Sequence, residues 1–360
     1  MFHATLGRKK MEADYFQSIR KRVSSAALAI FFVLAISHAV AAADAKLTPV
    51  RIGVIGILAE AGLYTAVEEG YFKDEGIDIQ FVRGAFGPNG FAALATGDIG
   101  AMGGAFGVET VNAIRRGLDV KMVASMNNYI QGWDAGYLTV RKQLVDSGRV
   151  KDWRDLKGLK VALDAPGPNL TDYFASHYLA RGNLAVKDVE VVNVPFDQMM
   201  TVLKTGGADV AHTSEPQTTI IANSGAAVKW RPVSDYAPPG LSVAILHFGP
   251  SMIKDPELAT KFLVAYLRGA RYYDKEVQDR AERDKIAAIL MKYTPVKDRA
   301  LYDKITFPYA PPNGEITMSG LTDMAHYYAM HGGPDIGDAK KLIDDRFREA
   351  ALKKIGPAAK

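Results

Sequence analysis

The feature that most constrains this chain is an internal repeat of one α/β unit. In the first copy, a strand-like run that starts at Val50 leads through helical and strand-like stretches to Asp98. The second copy runs in the same order from Leu159 to Asp209. Leu-x-Thr-Gly marks the same helix end in both copies, and each glycine can take the left-handed conformation that ends a helix. Strands that alternate with helices in this way predict parallel sheets.

Two copies of such a unit predict an α/β protein with two lobes, and one continuous doubly wound sheet is the alternative. Two further strand-like runs, Gly136–Leu144 and Leu241–Phe248, are candidates for the segments that cross between the lobes. Amphipathic helices follow the second run. The predicted organisation is therefore lobe 1 from residues 44–140 and 247–360, and lobe 2 from residues 141–246.

Residues 1–43 have the pattern of a secretory signal peptide. Three basic residues, Arg20 to Arg22, precede the apolar run from Ala26 to Ile36, and small residues in an A-x-A arrangement follow. The apolar run is shorter than the roughly 20 residues that a membrane span requires. An N-terminal anchor helix is the alternative. We expect the signal to be cleaved and the protein to be periplasmic.

Composition excludes several classes of protein. The chain has no cysteine, which excludes a lipid anchor on an N-terminal cysteine, a disulfide, a metal-thiolate site and a thiol nucleophile. The predicted signal peptide carries a net charge of +4, equal to that of the whole chain, so the mature protein is formally neutral. We therefore expect no nucleic-acid partner. About 317 residues follow the signal, enough for two domains.

Several segments resemble a family of transport proteins. They are "LYTAVEEGYFKDEGIDIQFV", "ALATGDIGAMGG", "DWRDLKGLKVAL", "TGGADVAHTSEPQ" and "DPELATKFLVAYLR". Their order and spacing, from about Val50 to about Tyr273, are similar to the solute-binding proteins of bacterial ABC importers, in the nitrate/sulfonate/taurine and thiamine-pyrimidine-precursor (NMT1/THI5-like) group. The resemblance implies a type II periplasmic binding fold, with a ligand held in a cleft between two lobes that two crossing segments join. It also implies a small-molecule ligand, a permease and its ATPase as partners, and we expect a monomer.

The tripeptide Gly-Pro-Asn occurs twice, at residues 87–89 and 167–169, each time between a strand-like and a helix-like run. A phosphate-binding loop would need a nearby lysine, which both copies lack, and proline removes one backbone N–H group. Proline in the first turn instead suits the start of a helix. We expect each copy to direct a helix N-terminus into the cleft, one from either lobe; a turn with local capping only is the alternative.

The resemblance places the ligand contacts on loops that follow strands. Carried across to this chain, the implied ligand-binding residues are Glu60, Phe86, Asn89, Gly104, Phe106, Asn169, Thr171, Thr213, Ser214 and Glu215. Trp133 and Asp134 join this set because they lie just before the first proposed crossing, where a side chain could reach the cleft. The alternative for each residue is a surface loop or an edge of the core.

The candidate residues are compatible with more than one class of ligand. The first Gly-Pro-Asn loop lacks the hydroxyl residues common in sulfonate and nitrate binders, and Ser214 stands where an aromatic residue is common. Carboxylates at Glu60, Asp134 and Glu215 would oppose an anion and would suit an amine or a ring N–H group. The candidates are an anionic or zwitterionic molecule such as a sulfonate or taurine, a pyrimidine precursor, and an aromatic acid stacked on Trp133.

An enzyme is the competing class of function. The histidines after residue 43 form neither an H-x₃-H nor an HExxH pair, and no G-x-S-x-G motif is present. We therefore predict no catalytic residue, no metal site and no cofactor. A periplasmic enzyme on the same fold and a binding protein that serves a sensor instead of a permease remain as alternatives.

Overall fold

A computed structural model describes residues 46–164, 167–279 and 282–358. The predicted signal peptide lies outside these residues. Within the described part of the chain, no helix is both long enough and apolar enough to cross a membrane.

Ten strands form two separate five-stranded sheets in the described residues. The strands are β1 (Thr48–Val54), β2 (Ile77–Arg83), β3 (Ala101–Gly104), β4 (Lys121–Tyr129), β5 (Gly136–Arg141), β6 (Lys160–Leu163), β7 (Glu190–Asn193), β8 (Val210–Ser214), β9 (Ala227–Pro232) and β10 (Leu241–Phe248). The first sheet has the order β2-β1-β3-β10-β4, and the second has the order β7-β6-β8-β5-β9. The alternative of one continuous sheet is therefore wrong.

The helices cover these sheets. They are α1 (Ala61–Glu68), α2 (Tyr71–Asp74), α3 (Gly87–Thr96), α4 (Val108–Arg115), α5 (Lys142–Asp146), α6 (Leu170–Ala180), α7 (Met199–Thr205), α8 (Gln217–Asn223), α9 (Pro250–Ile253), α10 (Pro256–Gln278), α11 (Arg283–Tyr293), α12 (Arg299–Tyr302), α13 (Met318–Met330) and α14 (Arg346–Ile355).

The internal repeat is confirmed at the level of strand order. The three strands of the first copy lie in the order β2-β1-β3, and those of the second copy lie in the equivalent order β7-β6-β8. β1 pairs with β3 in parallel, and β6 pairs in parallel with both of its neighbours. Gly97 and Gly206 end α3 and α7 with φ angles of 80° and 78°, the left-handed conformation that the repeated glycines predict.

The two predicted crossing segments take a different place in the structure. Gly136–Arg141 is β5, which lies antiparallel between β8 and β9 in the second sheet. Leu241–Phe248 is β10, which lies antiparallel between β3 and β4 in the first sheet. The chain passes between the sheets just before each of these strands, in residues 130–135 and 233–240. We call the first sheet with its helices lobe 1, and the second sheet with its helices lobe 2.

One core lies in lobe 1, and a second joins side chains of lobe 2 with side chains of α4, β4 and β10 of lobe 1. In lobe 1, the long helix α10 packs on α1 so closely that a Cβ atom on Gly62 would lie 3.1 Å from the backbone of Ala270. In lobe 2, Tyr173, Phe174 and Tyr178 of α6 are fully buried. Helix α13 packs on both lobes, because it contacts β10 of lobe 1 and α6 of lobe 2. The sequence placed all of residues 247–360 in lobe 1, but a helix that spans two lobes has no signature in its own periodicity.

Candidate functional site

A cavity lies between the two lobes, at the ends of six strands. The segments that follow β1, β2 and β3 line it from lobe 1, and those that follow β6, β7 and β8 line it from lobe 2. The carboxyl ends of parallel strands are the usual place for a ligand in α/β proteins. The space between the walls is about 1020 Å³ when the part open to solvent is included.

Both Gly-Pro-Asn loops start helices that border this cavity, as the sequence predicts. Helix α3 has Phe86 as its N-cap and a proline in its first turn, with no side chain that caps it. Helix α6 has Asn169 as its N-cap, whose side-chain oxygen accepts the N–H groups of Thr171 at 2.9 Å and Asp172 at 3.1 Å. The two loops thus differ: Asn169 satisfies donors at the start of α6, whereas no side chain caps the start of α3.

The structure brings about half of the predicted ligand-binding residues together. The cavity wall includes Glu60, Phe86, Gly104, Thr171, Ser214 and Glu215. The other six lie outside the wall: Asn89 is exposed on α3, Phe106 is buried against Tyr328, Asn169 caps α6, Thr213 is buried and bonded to Thr139 and Thr218, and Trp133 and Asp134 lie in a crossing segment.

Asp134 connects the two segments that cross between the lobes. Its carboxylate accepts the backbone N–H of Ser234 at 2.9 Å and the hydroxyl of the same residue at 3.0 Å. Trp133, its neighbour, packs against Tyr309 with 6.1 Å between the ring centres. These two side chains therefore stabilise the connection between the lobes.

Glu60 lines the cavity, but its own loop satisfies it. Its carboxylate accepts the N–H groups of Ile55, Gly56 and Ile57 and the hydroxyl of Tyr64, at 2.6 to 3.2 Å. The side chain is only 2% exposed. Burial raises the pKa of Glu60, and the four donors lower it by less. The carboxylate thus already accepts the N–H groups to which an anionic ligand would otherwise bind.

Glu215 is likewise satisfied from within. It is buried, and its carboxylate accepts from the ammonium group of Lys229 at 2.6 Å and from both the N–H and the hydroxyl of Thr219. Because of this ion pair, neither the carboxylate of Glu215 nor the ammonium group of Lys229 is free to bind a ligand.

His212 lines the cavity as a neutral ring. It is buried, its Nδ1 atom lies 2.7 Å from the hydroxyl of Tyr236, and its Nε2 atom lies 3.4 Å from the hydroxyl of Tyr129. Burial lowers the pKa of His212 to about 3, so it carries no positive charge at neutral pH. Burial also raises the pKa of Tyr129 to about 12, while its hydrogen bond with Ser214 lowers it by less.

Two carboxylates at the cavity wall were missed in the sequence. Asp164 directly follows β6 of lobe 2, and Glu109 lies in the first turn of α4 in lobe 1. Burial raises the pKa of Glu109, its own backbone N–H lowers it by less, and the charge of Asp164 raises it further. Partial loss of water also raises the pKa of Asp164, against the smaller effect of the Phe196 N–H group. The position of Asp164 at a strand end was a signal available in the sequence.

Most of the remaining wall is apolar, and its described residues include no lysine or arginine. Phe86, Met126, Phe196, Val243 and Pro308 supply its large apolar surfaces. Among the described residues, no group of three or more histidine, aspartate or glutamate side chains is placed to hold a metal ion.

A sequence profile of the NMT1/THI5-like family matches residues 59–277. The chain belongs to this family. None of the curated proteins compared with it by sequence matches it.

Solved structures of similar fold include binding proteins and an enzyme. The periplasmic nitrate-binding protein NrtA from Synechocystis PCC 6803 is 16% identical, with a TM-score of 0.70 over 86% of this chain and 90% of that one. The periplasmic aliphatic sulphonate-binding protein SsuA from Escherichia coli is 18% identical, with a TM-score of 0.63 over 84% and 99%. The desulfurization enzyme DSZB is 13% identical, with a TM-score of 0.56 over 85% and 99%. These likenesses confirm the predicted two-lobed periplasmic binding fold.

Proposed function

We propose that this NMT1/THI5-like chain is the solute-binding component of an ABC importer. The observation that carries the proposal is the cavity between the two lobes, which both lobes line at the carboxyl ends of their strands. The names of NrtA and SsuA, a nitrate-binding and a sulphonate-binding protein of the same fold, support it. The ligand is a small polar organic molecule.

Capture works by closure of the two lobes. A ligand that contacts both walls of the cavity favours the closed arrangement over the open one, because only the closed arrangement makes both sets of contacts. The crossing segments that Asp134 and Ser234 join are the natural place for the movement. The closed protein then docks on a membrane permease that a cytoplasmic ATPase drives.

We also propose that the protein works in the periplasm as a monomer, after its signal peptide is removed, and that it performs no chemistry on its ligand. DSZB makes an enzyme the competing class, since it has a similar fold and is named as a desulfurization enzyme.

The test uses the mature protein, produced without residues 1–43. Native mass spectrometry would identify any compound that co-purifies, and thermal melting would be measured with sulfonates, amino acids, pyrimidines and aromatic acids. We expect at least one compound to raise the melting temperature and to be recovered unchanged, and Phe86→Ala to reduce that rise. Conversion of the compound into a product, or no bound or stabilising compound, would overturn the proposal.

A further inference from the structure

We infer that the cavity selects a ligand with a positively charged or N–H-donating nitrogen group, held between Glu109 of lobe 1 and Asp164 of lobe 2, with an apolar body against the rest of the wall. This inference rests on the proposed function, because it assumes that the cavity binds a small molecule. It names the chemical class that the proposed function leaves open.

The other carboxylates of the region each accept at least two hydrogen bonds from other residues. Glu60 accepts three from its own loop and one from Tyr64, Glu215 is paired with Lys229 and bonded to Thr219, and Asp134 accepts two from Ser234. Asp164 accepts one, from the N–H of Phe196 at 2.8 Å, and within the described part of the chain Glu109 accepts only its own N–H. Neither forms an ion pair with any residue in the described ranges 46–164, 167–279 and 282–358, although both line the cavity.

The described wall of the cavity supplies no positive charge of its own. It includes no lysine or arginine, and Ala165 and Pro166, which follow Asp164 in the sequence, are uncharged residue types. His212 is neutral. A ligand with only negative groups would therefore face two carboxylates and no counterion, which is costly in a partly dry site. A ligand that brings its own cation reverses the sign of that interaction.

The two carboxylates line the cavity from opposite lobes. The negative charge of Asp164 raises the pKa of Glu109, so closure without a ligand would bring like charges together. A nitrogen group that donates to both carboxylates makes closure favourable instead. Recognition and closure are thus coupled through the same two side chains.

The apolar part of the wall indicates the chemistry of the rest of the ligand. Phe86 and Phe196 are aromatic walls from opposite lobes, with Met126 and Val243 beside them. Such surfaces suit an apolar or aromatic body. The class that fits both features is a small amine, a zwitterion or a nitrogen heterocycle with an exocyclic amino group.

The test is titration calorimetry with compounds that differ only in an amino group. The pairs are taurine and ethanesulfonate, γ-aminobutyrate and butyrate, and aminopyrimidine and pyrimidine, with calcium chloride alone as a further sample. We expect an amino compound to bind at least about tenfold more tightly than its partner, and Glu109→Gln and Asp164→Asn each to weaken it about tenfold or more. The matched controls Glu349→Gln and Glu190→Gln replace exposed carboxylates away from the cavity and should change affinity less than twofold.

The outcomes separate this inference from the proposed function. Equal affinity within every pair, binding that neither cavity variant alters, or binding of calcium with no amino compound would overturn the inference and leave a binding protein of another specificity. Binding of no compound by the folded wild-type protein, with nothing bound in native mass spectrometry, would overturn both. Circular dichroism checks that each variant is folded. If Glu109→Gln does not fold, Asp164→Asn, which changes an exposed residue at the mouth of the cavity, still tests the inference.

Discussion

Glu60 organises the loop after β1 by acting as an anion inside the protein. Three successive backbone N–H groups and the hydroxyl of Tyr64 converge on its carboxylate, which is almost wholly buried. A buried donor that loses its acceptor costs about 1–3 kcal/mol. The loop conformation at this edge of the cavity therefore depends on the charge and shape of one side chain.

Replacing Glu60 by glutamine should lower the free energy of unfolding by about 2–3 kcal/mol. The amide places an NH₂ group where only acceptors fit, so at least one of the four donors loses its partner. The measurement is urea unfolding at neutral pH. Tyr64→Phe is the matched control, because it removes one of the four donors and should cost about 1 kcal/mol. A Glu60→Gln protein as stable as the Tyr64→Phe protein would contradict this account.

Two buried histidines should make the protein sensitive to acid. Burial lowers the pKa of His212 to about 3 and that of His247 to about 4, against about 6.5 in an unfolded chain. Below pH 6.5 the unfolded state binds protons that the folded state refuses, so stability is lost as the pH falls. Each histidine contributes a loss of about 1.4 kcal/mol per pH unit until its folded pKa is reached.

Urea unfolding of the wild-type protein and of His212→Gln between pH 7.5 and pH 5 measures this effect. The variant is expected to start less stable and to lose stability less steeply with falling pH, since it lacks one of the two titrating rings. Parallel curves for the two proteins would show that His212 is not held neutral.

The cavity residues show which parts of a binding site a sequence can predict. Glu60 and Thr171 were predicted because the family resemblance places ligand contacts on loops that follow strands, and their hydrogen-bond partners are nearby in the chain. The pairing of Glu215 with Lys229 and the contact of Asp134 with Ser234 depend on how distant segments meet, and this decides whether a carboxylate is free. The roles of the predicted residues in binding stay predictions until a ligand is measured.

At the scale of elements, the two crossing segments are held to each other. Gly240 donates its N–H to the carbonyl of Tyr129 at 2.8 Å, and Asp134 accepts two hydrogen bonds from Ser234. These contacts join the end of β4 and the loop after it to the loop before β10. A proposed closure of the lobes would therefore have its pivot near these contacts.

Asp134→Ala should loosen the connection. Loss of two hydrogen bonds to a carboxylate predicts a fall of about 1–3 kcal/mol in the free energy of unfolding and faster amide exchange in residues 130–135 and 233–240. Hydrogen exchange followed by mass spectrometry is the measurement. The control Ser234→Ala removes only one of the two bonds and should give a smaller change. Faster exchange throughout both sheets, with no excess in these segments, would argue against a local role.

The repeated units could be predicted from sequence because their signals are local. Each strand, helix and glycine cap in β1–β3 and β6–β8 is specified by adjacent residues, and the structure confirms their order. β5 and β10 also read correctly as strands. The sheet to which each of these strands belongs could not be predicted. The chain leaves one lobe just before each strand, and the strand then pairs antiparallel with strands that are distant in sequence, which leaves no local pattern.

At the scale of the whole molecule, helix α13 joins the lobes in addition to the two crossing segments. Its residue Tyr327 donates to Asp172 of α6 at 2.7 Å, while Tyr328 donates to the carbonyl of Phe106 in lobe 1 at 3.1 Å. In the closure that we propose, α13 would have to keep or exchange these bonds.

Small-angle X-ray scattering tests closure around the cavity most directly. The radius of gyration of the mature protein would be measured alone and with the amino compound that binds most tightly, for the wild-type protein and for Asp164→Asn. The account predicts a smaller radius for the wild-type protein with the compound, and little change for the variant at the same concentration. A radius that does not change when the wild-type protein is saturated would contradict the account.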